Sequence, residues 1–237
     1  MLLMSKVIFF AYNIYMTKKL VLIFAVIFIG LSLVFFSPQK NSYADSDKEK
    51  TVYLTFDDGP TKFVTDQILD VLEEREIKAT FFVIGKMAND YKEVLKRIYQ
   101  GGHTIALHGY SHDYKKIFSS PSELEKDILT CIETIKRILP DCNLSYFRFP
   151  GGSYNLSNRL KEVPKKLNLT TVDWNAIIGD GDYNDGTIET YKKEFLKTVN
   201  DKNNIILLMH DTKKNTAKCL PYFIDYFTEN GYSFRKF

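Results

Sequence analysis

The chain has 237 residues, 45% of them hydrophobic and 14% aromatic, and a formal net charge of +3. This composition is typical of a folded globular protein and excludes a disordered chain. The basic residues occur in scattered pairs such as Lys115-Lys116 and Lys165-Lys166. Because no dense basic run occurs, a nucleic-acid partner is not expected.

Residues 1–38 are expected to be a signal peptide or a membrane anchor that precedes the fold. Leu20–Phe36 is almost wholly apolar and follows Lys18-Lys19, and its 17 residues lie at the short limit for a membrane span. Ser42-Tyr43-Ala44 also fits the small residues found near the cut of an export signal. The apolar stretch before Met16 is interpreted as an upstream extension. With either alternative, the rest of the chain is expected at the extracellular face of the membrane or in the cell wall.

Residues 39–50 are polar and charged and are predicted to be a linker. Residues 51–237, roughly 190 in number, suffice for a single domain with its own core. The three cysteines form no Cys-x-x-Cys motif, so neither a thiolate zinc site nor a redox pair is expected. A disulfide between Cys131 and Cys142 is one alternative, but the odd count leaves a thiol over. We interpret Cys131, Cys142 and Cys219 as structural.

Strand-like and helix-like segments alternate along the domain. Short runs of β-branched and aromatic residues predict strands at Val52–Phe56, Ala79–Ile84, Thr104–Leu107, Tyr146–Phe149, Thr170–Trp174, Ile205–Met209 and Tyr232–Phe234. Helical spacing of apolar residues predicts helices at Val64–Arg75, Asp90–Gln100, Pro121–Leu139, Leu156–Leu167, Thr187–Asn200 and Thr216–Asn230. About seven strand–helix units predict an α/β fold with parallel strands and outer helices, either a barrel or an open doubly wound sheet.

Polar residues follow the predicted strands at the ends where a barrel carries its active site. The segments concerned are Asp57-Asp58, His108 with His112, Arg148, Asp173-Trp174-Asn175 with Asp180, and His210-Asp211. Each has a structural alternative when taken alone: a turn, a surface histidine pair, an ion pair or a loop cap. Their joint occurrence at one rim favours a functional site. His103 has no such partner in sequence and is predicted to be structural.

His108 and His112 are spaced as residues one helical turn apart, which predicts two imidazoles on one face. Two imidazoles on one face suit a divalent metal ion. Any metal in this chain is therefore expected to be held by histidine and carboxylate.

These residues resemble the five motifs of the NodB-type polysaccharide deacetylases, carbohydrate esterase family four. The resemblance runs from about Thr51 to the C-terminus and rests on Thr55-Phe56-Asp57-Asp58-Gly59-Pro60, His108-x-x-x-His112, Arg148-x-Pro150, the stretch from Asp173 to Asp180, and Leu208-Met209-His210-Asp211. It implies a distorted (β/α)7-8 barrel and a divalent metal, most often Zn²⁺, with Co²⁺ or another divalent ion as alternatives.

The resemblance also implies a role for each matching residue. Asp58, His108 and His112 would hold the metal, which would polarise the acetyl carbonyl and lower the pKa of water. Asp57 would be the general base and His210 the general acid. Arg148 would keep Asp57 ionised, and Asp180 would partner His210. Leu208 and Trp174 would line the substrate pocket. The backbone N–H of Gly151, which follows Pro150, would donate to the oxyanion.

Two positions depart from the family pattern. The family often has a tyrosine where this chain has Gly151, so the resemblance implies that an aromatic wall of the groove is lost. It usually has a tryptophan where this chain has Gly181, and the upstream Trp174 is not an evident replacement. Both departures predict a more open groove.

The expected activity is metal-dependent removal of N-acetyl groups from N-acetylglucosamine in a cell-surface glycan, most of all peptidoglycan. The alternatives are a chitooligosaccharide, poly-N-acetylglucosamine or muramic acid deacetylase, an acetyl-xylan esterase, and a catalytically silent glycan-binding barrel. The expected partner is an N-acetylated glycan, with a membrane as a second partner if the leader is uncleaved.

Overall fold

The fold is built on a central strand, β1 (Thr51–Asp57), that hydrogen-bonds along both edges. The computed structural model describes residues 49–181, 186–200 and 202–237. The predicted leader, residues 1–38, and most of the predicted linker, residues 39–50, lie outside the described residues. β7 (Asn204–His210) pairs with the whole of β1. The other edge is shared by β2 (Thr80–Val83) and β8 (Ser233–Arg235).

All strand pairs are parallel, and the sheet runs in the order β5-β4-β3-β2-β1-β7-β6, with β8 beside β1. The remaining strands are β3 (Thr104–Leu107), β4 (Tyr146–Phe147), β5 (Thr170–Thr171) and β6 (Ala176–Ile177). The curled parallel sheet with its helices confirms the predicted distorted (β/α) barrel.

Helices follow most of the strands. They are α1 (Val64–Glu74), α2 (Gly85–Asp90), α3 (Lys92–Gln100), α4 (Tyr114–Ile117), α5 (Pro121–Ile138), α6 (Asn158–Lys166), α7 (Ile188–Val199) and α8 (Lys214–Glu229). Across the described segments, no helix combines the length and the apolarity that crossing a bilayer requires.

The two faces of β1 have different surroundings. Val52, Leu54 and Phe56 are buried in the large apolar cluster shared with the helices. The alternate residues face the other way because side chains of a strand alternate between its faces. On that inner face Thr55 and Asp57 contact a buried arginine.

Most predicted elements are confirmed to within a few residues, and the differences lie beside the polar loops. The predicted strands Tyr146–Phe149 and Thr170–Trp174 each shorten to two residues. Asp173 instead accepts hydrogen bonds from the N–H and hydroxyl of Ser153, which ties the two loops together. Three short elements, α2, α4 and β6, were not predicted. The two helices have six and four residues and the strand has two, so none of them is long enough to show a hydrophobic repeat in the sequence.

The structure decides between a disulfide and free thiols for the cysteines. Cys131, Cys142 and Cys219 are all buried free thiols, so the pair Cys131–Cys142 does not form. Burial raises the pKa of the Cys219 thiol to about 11, which keeps it neutral. The interpretation of these residues as structural fits their burial.

Candidate active site

The predicted site residues meet in one cleft at the carboxyl ends of the strands. The cleft has a volume of about 340 Å³. Its walls are formed by Asp57, Asp58, His108, His112, Tyr114, Gly151, Trp174, Gly181, Leu208, His210 and Lys213. Residues separated by more than 150 positions in the chain are adjacent here because β1 and β7 pair in register, with Asp57 opposite His210.

Asp58, His108 and His112 lie close enough to share one ion. Asp58 Oδ1 is 3.4 Å from His108 Nε2 and 3.2 Å from His112 Nε2. All three ligand atoms lie within 4.8 Å of one another. Ligands about 2.0–2.1 Å from a tetrahedral zinc ion are roughly 3.4 Å apart, so the observed spacing fits such an ion.

The hydrogen bonding and protonation of Asp58 and His112 also suit the binding of a cation. Asp58 Oδ1 is buried and has no hydrogen-bond partner among the described residues. Burial acts to raise the pKa of Asp58, but the imidazole of His108, 3.4 Å away, with the charges of His112 and His210, holds that pKa below its usual value. Burial also lowers the pKa of His112, which favours the neutral imidazole that a metal ion needs.

His108 is oriented by its second ring nitrogen. Nδ1 lies 2.9 Å from the carbonyl oxygen of Arg148, to which only a protonated nitrogen can donate. Nε2 is therefore left to face Asp57 and Asp58. A backbone carbonyl that fixes the tautomer of a ligating histidine is a common arrangement in metal sites.

The expectation that His108 and His112 share a helical turn is wrong, although their rings do converge with centroids 5.2 Å apart. The segment between them is a loop in which Gly109 and His112 have φ angles of 81° and 57°. Asp127 of α5 stabilises this loop. Its carboxylate accepts hydrogen bonds from the N–H groups of Tyr110, at 2.6 Å, and Ser111, at 3.1 Å.

Asp57 is paired with an arginine in the barrel interior. Arg148 has no exposed surface, and its Nη1 donates to Asp57 Oδ1 at 2.7 Å and to Thr55 Oγ1 at 2.9 Å. Arg148 Nε donates to the carbonyl oxygen of Val172, and the guanidinium lies 3.9 Å from the ring centre of Phe82. These contacts fix Asp57 beside Asp58 with its second oxygen, Oδ2, 3.8 Å from His108 Nε2.

His210 is held by Asp180. Asp180 Oδ1 accepts from His210 Nδ1 at 2.8 Å, while Oδ2 accepts from His210 N and from Thr216 Oγ1, both at 2.7 Å. Burial opposes protonation of His210, but the hydrogen bond and charge of Asp180 outweigh it and raise the pKa of His210 to about 9. Gly181 lies so close that a Cβ there would be 2.9 Å from His210 Cε1.

The remaining predicted residues lie around the same opening. Leu208, on β7, and Trp174 and Gly151, on the loops, line the cleft, and Pro150 directly precedes Gly151 in the chain. Trp174 lies at the wall, where its carbonyl oxygen accepts a hydrogen bond from Tyr154 Oη at 2.7 Å.

His103 lies away from the cleft, where it accepts a hydrogen bond from the Ala79 N–H.

Sequence reasoning missed three residues that shape the site, and it named a fourth, Asp211, only within the His210-Asp211 segment, without a role of its own. Tyr114 and Lys213 line the cleft, and short polar loops gave no signal for them. Asp127 was detectable in principle, because it interrupts the buried stripe Leu124, Ile128 and Cys131 of α5. The buried Asp211 accepts from Thr65 Oγ1 at 2.7 Å and packs against the Gly59 backbone, which fixes the turn that carries Asp58.

The parallel barrel brings together an Asp-His-His cluster that could hold a metal ion, an arginine-paired aspartate and an aspartate-paired histidine, an arrangement suited to hydrolysis. The chain belongs to the polysaccharide deacetylase family, whose sequence model matches residues 44–172. The match ends before Asp180 and His210, so their positions rest on the structure.

Three individual relatives extend the comparison. Putative polysaccharide deacetylase YheN of Bacillus subtilis is 31% identical over 78% of this chain and 66% of its own length. Chitooligosaccharide deacetylase of Bradyrhizobium sp. is 27% identical over 81% of this chain and 91% of its own. The solved catalytic domain of peptidoglycan N-acetylglucosamine deacetylase from Eubacterium rectale is 32% identical, with a TM-score of 0.71, over 81% of this chain and 90% of that one.

Proposed function

We propose that the chain is a metal-dependent N-deacetylase that removes acetyl groups from N-acetylglucosamine residues of a cell-surface glycan, with peptidoglycan as the favoured substrate. The observation that carries the proposal is the convergence of Asp58, His108 and His112 beside Asp57 and His210 in one cleft. The activity named for the Eubacterium rectale relative supports peptidoglycan. The activity named for the Bradyrhizobium relative supports chitooligosaccharides as the alternative.

Asp58, His108 and His112 would hold the divalent ion, with zinc the favoured metal because two imidazoles and one carboxylate suit it. Such an ion polarises a carbonyl and lowers the pKa of a water molecule. The three protein ligands leave room for one further ligand, as a catalytic zinc site does.

The protein supplies a proton acceptor and a proton donor. Asp57 takes a proton from the water molecule whose oxygen attacks the acetyl carbon. His210 then gives its Nε2 proton to the sugar nitrogen as the carbon–nitrogen bond breaks, which yields acetate and a free amine. Asp180 keeps the other nitrogen of His210 occupied, so Nε2 is the nitrogen available to the substrate.

The walls of the cleft would position the N-acetyl group. Leu208 offers an apolar surface beside His210 for the acetyl methyl. The backbone N–H of Gly151, after Pro150, is the proposed donor to the oxygen that becomes negatively charged. Trp174, which lines the same cleft, would also contact the sugar. We also propose that the N-terminal segment exports the domain to the outer face of the membrane or to the cell wall, where this substrate lies.

Acetate release by the purified chain tests the proposal on peptidoglycan, chitooligosaccharides, poly-N-acetylglucosamine, muramic acid-containing fragments and acetylated xylan. The expected result is release from peptidoglycan that a chelator abolishes and a divalent ion restores. Release from another substrate in preference would change the assigned glycan. Glycan binding without acetate release, unaffected by chelator, would instead identify a catalytically silent binding protein.

A further inference from the structure

Two adjacent glycines in the loop after β4 each lie beneath an aromatic ring. A Cβ added to Gly151 would be 3.0 Å from Cε1 and 3.3 Å from Oη of Tyr114. A Cβ added to Gly152 would be 2.9 Å from Cη2 of Trp174. Both glycines have positive φ angles, 73° and 84°. The loop therefore has no side chains at these positions, and the two rings fill that space.

Tyr114 is held in place from two sides and open on a third. Its ring lies edge-on to His112, with centroids 5.1 Å apart, and edge-on to Phe118, at 5.8 Å. Asp113 caps the short helix α4 by accepting a hydrogen bond from the Lys116 N–H. Tyr114 nevertheless remains 46% exposed, and it lines the cleft.

The Gly151 wall of the cleft is therefore covered by the aromatic surface of Tyr114. The Tyr114 ring lies two residues after His112 and contacts its imidazole, so it is next to the proposed metal ligands. The apolar faces of a pyranose ring match such a surface, while the polar groups of the cleft meet the acetamide. A short aliphatic residue at position 114 would leave the Gly151 wall bare.

We propose that Tyr114 is a substrate-binding residue that packs against the sugar ring whose acetyl group faces Asp58, His108 and His112. This inference rests on the proposed function and names the residue that supplies the aromatic wall of its site. The ligand class is an oligomer of N-acetylhexosamine. The phenol ring carries the interaction, and the hydroxyl is dispensable.

The test measures binding of the N-acetylglucosamine tetramer to the full, zinc-loaded chain by calorimetry. An Asp57→Asn background slows turnover by the factor expected for loss of the proton acceptor, about 10²–10⁴-fold. Tyr114→Ala and Tyr114→Leu are expected to weaken binding on the order of tenfold, as loss of an aromatic contact would. Tyr114→Phe is expected to bind within about twofold of the parent. Tyr99→Ala removes another exposed tyrosine, 39% exposed and outside the cleft, and serves as the control with unchanged binding.

Zinc content is measured for every variant, because Tyr114 also contacts His112. If Tyr114→Ala loses the metal, Tyr114→Leu, which keeps apolar bulk against His112, decides the outcome. Parental affinity in a metal-loaded Tyr114→Leu protein would overturn the proposal. A wild-type protein that binds the tetramer without releasing acetate would overturn the proposed activity instead, and the comparison of Tyr114 variants would still stand.

Discussion

Asp180→Asn is the substitution that most sharply tests how the proton donor is prepared. The Asp180 carboxylate is 1% exposed and accepts three hydrogen bonds, two from His210 and one from Thr216. Asparagine keeps the size of the side chain but removes its negative charge. It also replaces one acceptor oxygen with an NH₂ group that cannot accept a hydrogen bond.

The size of the effect follows from the pKa of His210, which is about 9 against an ordinary value of 6.5. A difference of this size corresponds to about 3 kcal/mol at about 1.4 kcal/mol per pKa unit. At pH 8 the wild-type imidazole is about 90% protonated, whereas a pKa of about 6.5 leaves about 3%, so turnover should fall about 30-fold. Near pH 5.5 both proteins have protonated His210 and should differ little.

The same shift predicts how stability depends on pH. Because the folded-state pKa of His210 is raised, its stabilising effect is fully present below about pH 6.5 and disappears as the pH rises through about 9. Asp180→Asn should abolish that portion of the pH dependence. A Thr216→Val variant, which removes one hydrogen bond to Asp180 but leaves its charge, is the matched control and should keep most of the shift.

Two assays check this prediction. NMR titration of the metal-free protein measures the pKa of His210 directly, and the pH profile of acetate release measures its consequence in the metal-loaded protein. A bound divalent ion lowers the pKa of a nearby imidazole in both proteins, so the comparison uses the difference between them. A His210 pKa that stays within about 0.5 of the wild-type value in Asp180→Asn would refute the reasoning.

Three further predictions concern other residues. Asp57→Asn should bind metal as the wild type does, yet release acetate about 10²–10⁴-fold more slowly, because the proton acceptor is lost while the ligands remain; metal analysis beside the acetate assay checks this, and loss of metal would contradict the separation of roles. Asp127→Ala should weaken metal binding in a zinc titration, because the N–H groups of Tyr110 and Ser111, in the loop that carries His112, lose their acceptor. Unchanged zinc affinity would show that this loop holds its shape without Asp127. Burial and the positive charge of Lys78 lower the pKa of His103 to about 4. Stability to urea should therefore decline as the pH falls from about 6.5 towards 4, and a His103→Gln protein should lack that decline.

The sequence was sufficient for a parallel α/β sheet, because β7 carries a continuous apolar run and β1 an alternating one, as buried neighbouring strands do. The choice of a barrel over an open doubly wound sheet came from the resemblance to the deacetylase family. The sequence also located the residues at the strand ends, since Asp57, His108, Arg148 and His210 each end or directly follow a strand. Once those strands align, the side chains have little freedom to lie elsewhere than in one cleft.

Loop conformation was less predictable, because side-chain contacts between distant segments determine it. The loop from His108 to His112 takes its shape from Asp127, a residue on another helix. Tyr114 occupies a short helix with no periodicity, so only the structure shows that its ring covers Gly151. The resemblance to the family implied the loss of an aromatic wall at Gly151, whereas the position of the Tyr114 ring over Gly151 depends on a contact between two segments that are distant in sequence.

The central claim is that Asp58, His108 and His112 bind one divalent ion, and metal stoichiometry tests it most directly. The full chain and its His112→Ala variant are dialysed against excess zinc, freed of unbound ion and analysed for metal, with His103→Gln as a histidine control outside the cleft. We expect one zinc ion per chain in the wild type and in the control, and a large loss of zinc in His112→Ala. A wild-type protein without bound ion, or a His112→Ala protein that retains a full equivalent, would contradict it.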